Sequence, residues 1–229
     1  MVKLSNFVKQ CTVLQKLIQD IDDIVVYDGV INPELYYNST PKILWILKES
    51  NSAENVSWSY VDCFKSSDWL LKCNNLASIR RVIYISYAIL NKVYNWSDLP
   101  WSNDKRCHES LQKIAYININ KRQGKSTADD YIISKAAKDN KDIISKQIAT
   151  YNPDIIVMGN TLKYFDEHIS YFGEELGEKN VSSFKNHYYK TKKRLYINAY
   201  HPSALGKGFS DKNYVMDIVN ICKDCLTVE

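Results

Sequence analysis

Residues Ile43-Leu44-Trp45-Ile46-Leu47 constrain the fold more tightly than any other stretch. Five apolar residues in a row have no polar face, so as a strand they must be covered on both sides. That is the situation inside a parallel sheet flanked by helices. Pro41 limits the strand at its start, and Lys48-Glu49-Ser50-Asn51 ends it abruptly. In open parallel sheets ligands bind at the carboxyl ends of strands, where loops converge, and Glu49 stands at such an end.

Three further segments read as strands of the same kind: 114–119, 154–158 and 195–200. Between them lie helical patterns. Residues 4–22 place Phe7, Val8, Val13, Leu14, Leu17, Ile18 and Ile21 at helical spacing, and 79–94, 128–150 and 211–226 read as helices. A short apolar run covers 24–27, and a helical turn precedes the strand at 114. The aromatic-rich stretch 53–73, with Trp58, Tyr60, Phe64 and Trp69, reads as a site loop feeding a short helix. Region 166–190 carries glycines, charges and tyrosines without a readable period. Strands alternating with helices imply right-handed crossovers. The expected fold is α/β: a three-layer α/β/α sandwich around a central, mainly parallel four-stranded sheet. One domain spans 1–229, with the N-terminal helix packed on it.

With 229 residues, 45% of them hydrophobic and 24% charged, the chain can bury a sizeable core. A net charge of +4 is compatible with a nucleic-acid partner without demanding one. Among the six cysteines, Cys11, Cys63, Cys73, Cys107, Cys222 and Cys225, only the last two form a CxxC. No second pair stands at ligand spacing, so free thiols are expected, with no metal and no cofactor. No signal-peptide pattern opens the sequence, and no apolar run approaches the roughly 20 residues that span a bilayer. A cytoplasmic monomer away from membranes is expected.

Four strands would end in four polar clusters on one sheet edge: Lys48-Glu49-Ser50-Asn51, Asn118-Ile119-Asn120-Lys121, Gly159-Asn160-Thr161 and Tyr200-His201-Pro202-Ser203. Together they assemble a carboxylate, carboxamides, a small-residue turn and a histidine. Asn118 and Asn120 alternate onto the same side of their strand, and spacing favours Asn118.

This order resembles the uracil-DNA glycosylase superfamily. Tyr200-His201-Pro202-Ser203-Ala204-Leu205 after an apolar strand is similar to its His-Pro-Ser motif and the leucine behind it. Residues 43–51 resemble its first motif, 153–160 its strand and glycine turn, and 114–118 the strand whose terminal Asn reads the base. The resemblance implies a metal-independent DNA glycosylase that flips a uracil or another modified base out of DNA. Glu49 would orient water and stabilise the sugar cation, and His201 would stabilise the departing base. Asn118 would read the base edge. Phe64, or next Tyr60, would stack on the base, and Asn51 would stand where the family carries a discriminating tyrosine. Leu205 would fill the gap in the duplex. Ser203, Ser50 and Lys207 would contact DNA, with Lys190, Lys192, Lys193, Arg194 and Lys212 as a basic surface. The first motif departs from the family's usual aspartate followed by proline and tyrosine, which implies altered base discrimination. An alternative class is a non-catalytic binder of nucleic acid or nucleobase that keeps the fold. A third is an unrelated doubly wound protein in which the His-Pro-Ser is a chance turn.

Overall fold

The five apolar residues of the opening stretch form a strand at the centre of a seven-stranded sheet in the computed structural model. The structure describes residues 2–52, 56–73, 75–165, 168–206 and 208–226. The strands of this sheet are β1 (Gly29–Val30), β2 (Ile43–Leu47), β3 (Ala115–Asn118), β4 (Ile155–Gly159), β5 (Lys179–Val181), β6 (His187–Lys190) and β7 (Leu195–Ala199). Their spatial order is β1-β3-β2-β4-β7-β6-β5. The four strands expected from sequence form its parallel centre, pairing Leu44 with Ala115, Leu44 with Ile156, and Tyr196 with Ile156.

The sheet is wider than the four strands expected, because antiparallel strands flank the parallel centre. β1 pairs antiparallel with β3 on one side, and β6 and β5 continue antiparallel beyond β7 on the other. The last two come from region 166–190, where alternation was hidden by polar residues. Tyr188 packs on one core and Tyr189 on the opposite one, as a two-residue period requires. β5 is short and exposed throughout, a form that edge strands commonly take.

Helices cover both faces. They are α1 (Val2–Gln19), α2 (Tyr60–Lys65), α3 (Ala77–Asn91), α4 (Lys105–Leu111), α5 (Asp130–Asp139), α6 (Lys141–Tyr151), α7 (His168–Phe172) and α8 (Asp211–Leu226), besides the short helices Pro33–Tyr37 and Ser67–Cys73 and two 3-10 turns. Ile43, Trp45 and Leu47 face a core shared with α2, α3, α4 and α8. Leu44 and Ile46 face a second core shared with α1, α5, α6 and α7. Trp45 also donates its indole N–H to Ser86 Oγ at 3.1 Å, tying β2 to α3 while satisfying its polar atom. The single helix expected over 128–150 is two, α5 and α6. Asn140 sits at the break and donates its buried side-chain amide to the Ile119 carbonyl at 2.9 Å. That bond holds the helix pair against the end of β3.

No helix among the described residues is long and apolar enough to cross a membrane.

Candidate active site

The loop leaving β2 runs to α2, α3 and α4 on one face, whereas the loop leaving β3 runs to α5 and α6 on the other. Adjacent parallel strands whose connections part in this way leave a crevice at their carboxyl ends. A cleft of about 800 Å³ opens there, and Lys48, Glu49, Asn51, Tyr60, His201 and Ser203 are among the residues lining it.

Glu49 is held from the neighbouring strand. Asn120 donates Nδ2 to Glu49 Oε2 at 3.0 Å, and its own Oδ1 accepts the Arg122 backbone N–H at 3.1 Å. Those two bonds fix which end of the amide faces the carboxylate. The Asn120 N–H in turn donates to the Lys48 carbonyl at 2.9 Å. On its other side the Glu49 carboxylate lies against Gly124, where any Cβ would overlap it. The backbone there is registered by the parallel pairing of Ser50–Asn51 with Gln123–Gly124. A short polar segment after β3 therefore shapes the resting place of this carboxylate.

The structure separates the two asparagines that alternation left together. Asn120 orients Glu49. Asn118 is 1% exposed, and its Oδ1 and Nδ2 make no hydrogen bond of good geometry, the nearest polar group being the Tyr60 hydroxyl. The amide therefore keeps donor and acceptor capacity that the rest of the chain does not use fully. It lies on the side of β3 that carries Tyr116, behind Tyr60, whose ring is 4.7 Å from that of Tyr116. Burial pushes the Tyr60 phenol up to about 12, so it stays a neutral hydroxyl beside the amide.

Phe64 does not reach the cleft. It is fully buried beneath Tyr60, Trp69 and Tyr116, with ring centroids 5.1 to 5.5 Å away. One helical turn after Tyr60 on the same face of α2, it lies deeper in the core, and the aromatic side chains that line the cleft are Trp58, Tyr60, Trp69 and Tyr116. Ser50 is also misplaced by the sequence reading: it is fully buried, and its hydroxyl has no partner and no route to a phosphate. Asn51 is exposed and lines the cleft.

His201 lines the same cleft from the loop that follows β7. Its Nδ1 accepts the Ser203 backbone N–H at 3.2 Å, and the Ser203 hydroxyl lies 2.7 Å from the same nitrogen. An accepting Nδ1 puts the proton of the neutral ring on Nε2. Burial, aided by the positive charge of Lys48, lowers the imidazole pKa to about 4. The ring is therefore neutral at physiological pH and offers an N–H donor.

Two devices place this ring. Arg81, itself 2% exposed, donates Nη1 to the carbonyls of Pro202 and Ala204 at 2.8 Å each, and Nε to Asp211 at 2.8 Å. The helix start at Asp211 and the His201 loop are thus bolted to α3. Gly159, at the end of β4, lies between Leu47 and the loop. A Cβ there would overlap Leu47 and stand 3.0 Å from Pro202 Cδ.

Leu205 projects from the rim at 82% exposure, and Lys212 is exposed in the first turn of α8. Lys207 lies outside the described residues. The run Lys190, Lys192, Lys193 and Arg194 falls on the β6–β7 turn at the amino end of β7, away from His201 at its carboxyl end. Arg194 is spent on structure there, binding the Pro153 and Phe172 carbonyls, Glu174 and Asn152. That run does not form part of the cleft surface.

The sequence reading missed a buried network under the site. Asp28 and Lys121 are both fully buried, with Lys121 Nζ 2.9 and 2.8 Å from the two carboxylate oxygens and 2.9 Å from Gln147 Oε1. Asp28 also accepts the Asn118 backbone N–H at 2.8 Å. Burial pulls the lysine's pKa down while the aspartate opposes it. The available signal was an aspartate inside the otherwise apolar stretch 24–31, since an acid in such a place needs a partner.

Among the described residues no three His, Cys, Asp or Glu side chains are grouped to hold a metal ion. Cys11, Cys63, Cys107, Cys222 and Cys225 are free thiols. No family model matches the sequence, and no curated protein matches it.

Proposed function

We propose that the protein is a DNA glycosylase that hydrolyses the N-glycosidic bond of uracil or a related modified base. One observation carries the reading: an oriented carboxylate and a neutral imidazole donor line the same cleft, Glu49 from β2 and His201 from β7. The resemblance of their sequence surroundings to the glycosylase motifs supports the same assignment.

Bond cleavage takes an electron pair onto the base nitrogen and leaves positive charge on the sugar. Glu49 stabilises that cation and orients the water whose oxygen then bonds to C1′, taking the proton that this water gives up. His201 donates its Nε2–H to a carbonyl oxygen of the base as negative charge builds there. Asn118 supplies a donor and an acceptor, matching a carbonyl and an adjacent N–H. In the resting state Tyr60 stands before that amide, so the base reaches it as the ring shifts and stacks. Leu205 fills the gap left in the duplex.

The test is a base-release assay on oligonucleotides carrying uracil, thymine mismatches, hypoxanthine and modified cytosines. Release by the wild-type protein that vanishes in Glu49→Gln is expected. Release of equal rate in Glu49→Gln would remove the assignment. Tight binding with no release from any substrate would leave the non-catalytic binder.

A further inference from the structure

Lys48 and Lys125 are the basic side chains among the described residues lining the cleft. Lys48 directly follows β2 and precedes Glu49, and its backbone is fixed by the Asn120 N–H. Its side chain is 17% exposed, and its Nζ lies 3.3 Å from Asp130 Oδ1 and 5.6 Å from the Tyr164 ring centroid. That ion pair is the weakest of those made by Asp130. The same carboxylate is bonded closely by Lys163 and by the Tyr164 hydroxyl, and its side chain is 59% exposed. With the Asp130 side chain open to solvent, a pair of this length contributes at most about 1 kcal/mol, and the aspartate keeps two partners if Lys48 leaves. A flexible four-carbon stem then lets the ammonium move without unfolding anything.

Lys48 lines the same cleft as Glu49 and His201, so the ammonium freed from Asp130 has that cleft to enter. Without a side chain at Gly159, the end of β2 and the His201–Pro202 turn approach each other closely across β4. We propose that Lys48 is a third catalytic residue of the cleft, released from Asp130 to bind the anion that forms as the glycosidic bond breaks. The proposal rests on the glycosylase reading and deepens it. In the step concerned, the C1′–N bond breaks and its electron pair stays on the base. No proton moves: the His201 Nε2–H hydrogen-bonds and Lys48 neutralises. The base takes its proton from water afterwards.

The titratable groups that line the cleft with His201 are Lys48, Glu49, Tyr60, Cys63, Tyr116 and Lys125. Among them Lys48 is the charge that acts on the imidazole, holding it to its neutral form in concert with burial. One cation thus serves two ends, keeping the donor neutral and receiving the leaving group.

The experiment compares Lys48→Met and Lys48→Arg with the wild-type protein. The His201 imidazole is titrated by NMR, its resonance assigned with His201→Gln, and release is timed for uracil and 5-fluorouracil in the same oligonucleotide. Lys48→Met should raise the His201 titration by roughly half a unit or more, whereas Lys48→Arg should leave it in place. Lys48→Met should slow uracil release by about tenfold or more, and 5-fluorouracil, the more stable anion, by less. An unmoved imidazole titration, or equal slowing of both bases, would overturn the role of Lys48. Absence of any release by the wild-type protein would instead remove the glycosylase reading itself.

Discussion

Asn120 Nδ2 donates to Glu49 Oε2 across 3.0 Å, joining the ends of two neighbouring parallel strands. The carboxylate is thereby aimed by a residue at the end of the neighbouring strand, itself held by the Arg122 N–H and the Lys48 carbonyl. Asn120→Ala should slow base release by about tenfold to a hundredfold, the order of loss that a displacement near 1 Å can produce. Asn120→Asp should be worse at neutral pH, because it replaces the donor with a second negative charge beside Glu49. Release rates for both variants between pH 5 and 8 check this. Equal rates in wild-type and Asn120→Ala proteins would mean that Glu49 needs no such aim.

Gly124→Ala tests the same carboxylate from the other side. Its Cβ would occupy the space of the Glu49 carboxyl group, which sits at the end of a flexible side chain and can swing away. Stability should change by about 1 kcal/mol or less, while base release falls towards that of Glu49→Gln. A thermal melt beside the release assay separates the two effects.

Gly159→Ala should behave differently, because its neighbours are packed. The new Cβ would overlap Leu47, a core residue at 3% exposure, and press on Pro202. Overpacking of this kind costs about 1–3 kcal/mol, so urea denaturation should register a clear loss. An unchanged midpoint would show that β4 and the His201 turn have slack.

The strand centre and the order of the site were legible because both rest on local pattern. Ile43–Leu47 reads as doubly covered since nothing polar interrupts it, and His201-Pro202-Ser203 follows its strand directly. Region 166–190 was opaque because β6 is ordered by pairing with β7 and β5 by pairing with β6, and no run of apolar residues marks either strand. The direction of Phe64 depended on how α2 rolls against Tyr116, which spacing does not encode. The placing of Lys190–Arg194 likewise needed the β6–β7 turn to be known. Partners far apart in sequence were invisible for the same reason: Arg81 reaches residues 202, 204 and 211.

The His201 imidazole has a folded pKa near 4 against an ordinary value of 6.5. Below pH 6.5 the unfolded chain takes a proton that the folded chain refuses. The contribution to stability is therefore full above 6.5 and is lost as pH falls towards 4. Its ceiling is about 3 kcal/mol, reduced because the ring is partly exposed. Urea denaturation at pH 7.5 and pH 4.5 should show a smaller acid loss in His201→Gln than in wild type. Base release should have no histidine inflection near 6.5. An inflection there, absent from His201→Gln, would place the working imidazole in an ordinary environment.

Asp28 and Lys121 make the sharpest stability prediction, because both are fully buried. Lys121→Met leaves the Asp28 carboxylate with the Asn118 N–H and Gln147 Nε2 but without a counter-charge. Breaking such a pair costs about 3–5 kcal/mol, and Asp28→Leu, which strands the ammonium, should cost a similar amount. The double variant should recover much of the loss, since an apolar pair removes both charges together. The functional effect should not recover with it. Asp28 accepts the Asn118 backbone N–H on the side away from the Leu47 pairing, so both Asp28→Leu and the double variant loosen the strand end that carries the Asn118 amide. Urea denaturation of the two single variants and the double one measures the coupling, and the base-release assay follows the site. Additive losses in stability would mean that the pair is not a unit. Base release restored in the double variant would detach Asn118 from its anchor.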